Sequence, residues 1–178
     1  MRINAPLIAV TATIAAFAMP VAAHASPPAA PSNCWTSGPS AYCYGAQLDS
    51  AQMTSRDLTN SNFSFASMNY ASFRNTDLYH SLFGQAHLDH ADLSNGNRTQ
   101  GNWDSASMRY ADLSHADFWG TSLQWADLRG ATLNGTKMDS TDLRHANLQG
   151  ASVRDSSFYD AEFCGTTMPN GTVRNDDC

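Results

Sequence analysis

Six histidines and sixteen acidic residues give this 178-residue chain raw material for chemistry. The densest grouping is His87, Asp89 and His90. Two imidazoles and a carboxylate are a donor set that zinc or another divalent ion accepts. Serine, histidine and aspartate also recur often enough for a hydrolytic triad, but a triad is recognised by geometry and not by content. The four cysteines contain no C-x-x-C pair and no zinc-ligand spacing, so they do not read as a metal site. No glycine-rich phosphate loop, nucleophile elbow or nucleotide fingerprint occurs. Whether any of these groups can meet depends on the elements that carry them.

Those elements are set by a strict period. Every fifth residue from Leu48 to Val173 is bulky and apolar, with Arg98 the sole exception. Two residues before each stands a small one, such as Ala46, Ser61, Ala66 and Thr76, with Arg56 the one large exception. An α-helix would spread residues five apart around its surface, at about 140° to one another. A continuous strand fails as well, because an odd spacing sends successive apolar residues to opposite faces. The chain must therefore turn once per repeat. Within each repeat the central apolar residue and the small one share parity, so both point inward and the other three point outward or form the corner. Four such sides close a coil of 20 residues, and coils stack about 4.8 Å apart. The array then holds six to seven coils in a rod roughly 30 Å long.

The runs Ala91-Asp92-Leu93, Ala111-Asp112-Leu113, Ala126-Asp127-Leu128 and Ala146-Asn147-Leu148 carry an A-[DN]-L signature. In this the chain resembles the pentapeptide repeat family from residue 46 onward. The resemblance implies an all-β fold, a right-handed quadrilateral β-helix. It says little about function, because the family is defined by architecture.

The expected organisation is as follows. Residues 1–25 read as a secretory signal peptide, with Arg2, an apolar run from Leu7 to Met19, and Ala23-His24-Ala25 before a cleavage between Ala25 and Ser26. The apolar run is too short for a membrane span and is flanked by Pro6 and Pro20. Cleavage removes only Arg2 among the charged residues. Nine basic residues then face 16 acidic ones, moving the net charge from −6 to −7. Residues 26–45 form a proline-rich linker and an N-terminal cap, 46–175 the β-helix, and 164–178 a C-terminal cap over the last coil. Cys34 and Cys43 precede the first coil, while Cys164 and Cys178 lie at the last. The ends of the rod are too far apart for a disulfide, so the pairs are Cys34–Cys43 and Cys164–Cys178. An exported chain favours such bonds, and they blunt the open ends of a solenoid.

One coil breaks the pattern. Around Asn95-Gly96-Asn97-Arg98-Thr99-Gln100-Gly101 an arginine takes an inward slot. Burying an unpaired guanidinium is costly, so a bulge that turns Arg98 outward is expected. Stacking by 20 also gives outward columns: Tyr70, His90, Tyr110; Tyr79, Thr99, Trp119, Asp139, Tyr159; and Phe65, Gln85, Ser105, Trp125, His145. The second makes Tyr79, Trp119 and Tyr159 a candidate partner-binding stripe. Asp89 should lie beside Arg109 and Asp117 beside Lys137. His87 falls on a flat side and His90 at a corner, so they are not expected to share a metal. Four glycosylation sequons, at Asn62, Asn97, Asn134 and Asn170, are weak signals.

The function these features favour is an exported, non-catalytic, monomeric scaffold that binds a protein or glycan partner, with no cofactor and no direct nucleic-acid binding. The alternative comes from the family resemblance: some members mimic duplex DNA and inhibit or protect DNA gyrase. An acidic rod suits that role. An export signal does not, nor does a C-terminus closed at Cys178.

Overall fold

The outward residue of each repeat pairs in parallel with the residue 20 positions on, from Tyr42↔Asn62 through to Asn147↔Thr167 without a slip. The computed structural model describes residues 34–37 and 39–178; the expected signal peptide, its Ala25–Ser26 junction and the linker to Asn33 lie outside them. A two-residue turn follows each paired residue and its inward neighbour, giving four sides per coil. Two places differ: after Leu93 the chain bends one residue late, at Asn95 and Gly96, and after Phe163 it bends at 164–165. The last residue of each turn is left-handed, whether glycine, as at Gly130 (φ 67°), or not, as at Tyr70 (φ 60°). A non-glycine residue there costs on the order of 1 kcal/mol or more. The surrounding hydrogen bonds fix the conformation.

In a regular repeat four amides are satisfied by backbone. Met68 N–H donates to His87 O and Tyr70 N–H to Asp89 O in the next coil. Ala71 N–H closes the turn on Met68 O, and Ser72 N–H reaches back to Ala51 O. The fifth amide has no carbonyl within reach, and here the signature Asp or Asn acts. Its side chain accepts the N–H two residues on: Asp77 from Tyr79, Asp92 from Ser94, Asp112 from Ser114, Asn147 from Gln149. At some positions that are not Asp or Asn, a carboxylate or amide one coil earlier serves, as Asp49 does for Asn69 and Asp139 for Tyr159.

The core is one column of side chains. Phe63, Phe73, Phe83, Trp103 and Phe118 touch in sequence, with Phe83 and Trp103 stacked at 3.8 Å. Inward Ser and Thr at the small position donate to a carbonyl 23 residues earlier, as Thr136 does to Leu113 O and Thr141 to Phe118 O.

Arg98 does not turn outward. It is fully buried, and the pairing of Asn97 with Asp77 and Asp117 runs through the site unbroken. Its guanidinium donates from Nη1 to Thr76 O (2.9 Å) and from Nη2 to Phe73 O (3.0 Å). Gly96 makes this possible: a Cβ there would stand 1.6 Å from Nη1. Phe73 O is the carbonyl that a Ser or Thr at position 96 would have bonded. Gly101 likewise clears space for the Trp103 indole, whose Nε1 would lie 2.7 Å from a Cβ. Burial lowers the Arg98 pKa to about 10, opposed by Asp92 and Asp77, so it remains charged at neutral pH.

Each end closes with a hairpin and a disulfide. At the start β1 (Trp35–Ser37) pairs antiparallel with β2 (Ser40–Tyr42), and Cys34 is bonded to Cys43. At the finish β3 (Thr166–Thr167) pairs with β4 (Val173–Arg174), and Cys164 is bonded to Cys178. The every-fifth rule stops before Val173, which lies in β4 and is 59 % exposed, because the chain has left the coil to form this cap. Val153, Phe158 and Met168 are only partly buried, so the C-terminal end of the core is less well covered than its middle.

Two outcomes follow for stability. Gly96→Ala should lower the denaturation midpoint by the equivalent of about 1–3 kcal/mol or more through overpacking. Adding Arg98→Leu should recover only part of it, because Thr76 O would still stand 2.4 Å from the new Cβ. Equal tolerance of Gly96→Ala with and without Arg98→Leu would contradict the buried guanidinium. Asp112→Asn should be near neutral in urea unfolding, while Asp112→Ala should cost about 1 kcal/mol for the lost amide acceptor. Equal losses would mean that charge, not capping, is what matters at this position.

Candidate binding surface

Residues that do not face the core form straight outward columns, because each coil repeats after 20 residues. Corner residues with left-handed backbone lean toward the following coil. Tyr70, His90 and Tyr110 stack in this way, with ring centroids 4.9 and 5.2 Å apart. The column ends at Gly130, where a Cβ would lie 2.6 Å from the Tyr110 ring. Trp125 stacks on His145 at 4.0 Å, and His145 in turn covers Gly165. His90 is thus held in a ring ladder, apart from any partnership with His87. Among the described residues no group of His, Cys, Asp or Glu is suited to a metal ion.

Charged side chains pair both between coils and within one. Arg109 pairs with Asp89 and Lys137 with Asp117 (3.6 Å) across adjacent coils. Arg129 pairs with Asp127 (2.6 Å) and Arg144 with Asp142 (2.5 Å), each two residues away in the same coil. Burial acts most strongly on Asp89 and tends to raise its pKa. Hydrogen bonds from the Arg109 guanidinium, the Ser107 hydroxyl and the Arg109 N–H outweigh it, and the net pKa is lowered. Asp127 beside Arg129 shows the same balance.

Tyr79, Trp119 and Tyr159 stand on one corner column and are all exposed, Trp119 by 47 % and Tyr159 by 80 %. They are not equivalent. Tyr79 bonds Gln100 Oε1 through its hydroxyl and tilts against His80. Trp119 and Tyr159 make no ring contact among the described residues. The next corner carries Tyr44, Phe65 and Trp125, and the side between the two bears Tyr42 and Leu82. Most of the large exposed apolar side chains therefore lie on one side of the coil and its two edges. Position modulo 20 is the signal that finds this face in the sequence.

The family model for pentapeptide repeats matches eight copies over residues 41–85, 57–95, 106–144 and 136–170, more than half of the chain. The chain belongs to the pentapeptide repeat family. Members of this family fold as right-handed quadrilateral β-helices. The unmatched residues 96–105 hold the Gly96, Arg98 and Gly101 irregularity, which keeps the coil but not the motif. Among solved structures the chain is similar to a pentapeptide repeat protein of the Arabidopsis thaliana thylakoid lumen, with 25 % identity, 70 % of this chain and 72 % of that one covered, and a TM-score of 0.46. It is also similar to HetL, a pentapeptide repeat protein involved in heterocyst differentiation regulation in a Nostoc cyanobacterium (22 % identity, 75 % and 87 % covered, TM-score 0.29). A third is QnrB1, a plasmid-mediated fluoroquinolone resistance protein (14 % identity, 69 % and 72 % covered, TM-score 0.39). No curated protein matches it in sequence.

The ion pairs make a pH prediction. A carboxylate with a depressed folded pKa stabilises fully above its unfolded value, and that contribution is lost as pH falls through the folded one. Acid unfolding followed by circular dichroism should steepen below the ordinary carboxylate range, and Asp89→Asn with Asp127→Asn should flatten this limb. An unchanged limb would show that these pairs do not contribute.

Proposed function

We propose that this pentapeptide repeat protein is an exported, non-catalytic rod that presents the Tyr79–Trp119–Tyr159 corner to a protein or glycan partner. The observation that carries the reading is the exposure of these rings on a surface where they fill no core. Tyrosine and tryptophan are the residues that most often anchor interfaces, and a solenoid keeps them in fixed register. Export is supported by two disulfides, which persist in oxidising compartments. It fits the signal-like residues 1–25, with the mature chain starting at Ser26. Among the described residues no helix is long and apolar enough to cross a membrane. The acidity needs no DNA mimicry to explain it, since many of the aspartates cap amides.

The test uses the mature, oxidised protein as bait in its own periplasm or culture medium. Trp119→Ala should keep the melting temperature and lose the captured partner. A large fall in melting temperature with capture unchanged would make the ring structural and remove the proposal.

A further inference from the structure

Resting on that reading, we infer that the side of the coil between Trp119 and Trp125 docks an arginine-bearing segment of a partner protein. Trp119 and Trp125 stand at the two ends of one five-residue side, with Ser122 and Gln124 outward between them. Trp125 is 60 % exposed yet oriented, because one ring face rests on His145 and His145 rests on Gly165. One coil earlier its column holds only Ser105, so no ring covers its other face.

Charge decides the occupant. Counting in twenties, the columns of this side and its two corners carry Asp104, Asp139, Asp142, Asp160 and Glu162, with Arg144 the one guanidinium among them. Arg144 is committed to Asp142 and, at 3.4 Å, to Glu162, and it also feels Asp104. Asp104 accepts from the Ser122 hydroxyl, from Gln124 N–H and from Asn102 Nδ2, and Asp139 from the Ser157 hydroxyl and Tyr159 N–H. All of these donors are neutral. Asp104, Asp139 and Asp160 thus form no ion pair among the described residues. By contrast, the carboxylates beside the Tyr70–His90–Tyr110 ladder, Asp89 and Asp127, each hold an arginine, and the rings there are stacked on one another.

Uncovered indole faces beside unpaired carboxylates complement one group well. A guanidinium is planar, stacks on an aromatic face and donates to a carboxylate at its edge. The chain builds this contact for itself at its C-terminal cap, where Arg174 lies 3.9 Å over the Phe163 ring and pairs with Asp176. The acidic field around the indoles would also steer a basic segment toward them.

Calorimetric titration of the oxidised mature protein at physiological salt tests this with a nona-arginine peptide, its citrulline counterpart, and chitohexaose. Nona-arginine should bind, the neutral citrulline peptide should not, and Trp125→Ala or Asp139→Asn should each weaken binding about tenfold. Asp139→Asn keeps the oxygen that accepts Tyr159 N–H, so its fold should hold, as the melting temperature will report. Tyr70→Ala should leave binding unchanged. Binding of nona-arginine that ignores Trp125→Ala, or that falls equally in Tyr70→Ala, would overturn the inference as bulk charge attraction. Chitohexaose binding that requires Trp119, with no nona-arginine binding, would overturn the inference while sustaining the broader function. Binding of no probe would also overturn it, while capture lost in Trp119→Ala would still sustain the broader function.

Discussion

Every pentapeptide must satisfy five backbone amides around a core one side chain wide. Four are paired by the 20-residue ladder and the corner turn, and the fifth is left to a side chain. An unmade hydrogen bond at a packed corner is expensive, so the requirement recurs wherever the coil turns. It explains the Asp or Asn of the motif and much of the acidic excess. It also leaves the core with no freedom to host a site. Any function is therefore carried on the outside, by columns whose register the ladder fixes.

Arg98 shows how far this constraint reaches. The coil could have bulged to expel a charge, but a bulge would have broken the pairing of Asn97 with Asp77 and Asp117. Instead two glycines make room, and the guanidinium takes over two carbonyls. One is Phe73 O, which a Ser or Thr at position 96 would have served, and the other is Thr76 O, which the Asn97 amide would have used in the regular ladder. Its Nε has no partner. A buried group that is only partly satisfied costs stability, and the continuous stack of coils through this level offsets it. The bridges between the Tyr79 and Trp119 levels therefore continue without a change of register.

The period of five made the coil, the inward positions and the stacked columns legible in the sequence. Tyr70, His90 and Tyr110 can be placed in line by counting in twenties, and Asp89 can be placed beside Arg109 in the same way. Arg98 departs from the expectation because the cost of its burial is not set by the residue alone. The compensation lies at Gly96, two residues away, and at Phe73 O, 25 residues earlier, and no local pattern connects them. Val173 kept the period while the chain had already left the coil for β4, since a two-stranded cap tolerates an apolar residue at the same spacing. The crowding of Trp119, Trp125, Phe65 and Leu82 around one side was present in the numbering. It became visible only once the corners were assigned to particular residues.

The central claim is that an unbroken series of parallel bridges runs from Tyr42 to Thr167 and holds the outward columns in register, with Arg98 Nη1 on Thr76 O replacing one backbone bond at its level. Amide hydrogen exchange of the oxidised protein tests it directly, because protection reports local opening. The account predicts strong protection of the hydrogen-bonded inward and paired amides from Phe63 to Leu148, continuing at this level through Asn95, Arg98, Gln100 and Asn102, and declining toward Val153 and Phe158. Rapid exchange confined to residues 95–102 would contradict it, since the rod would then be two stacks joined at a flexible break.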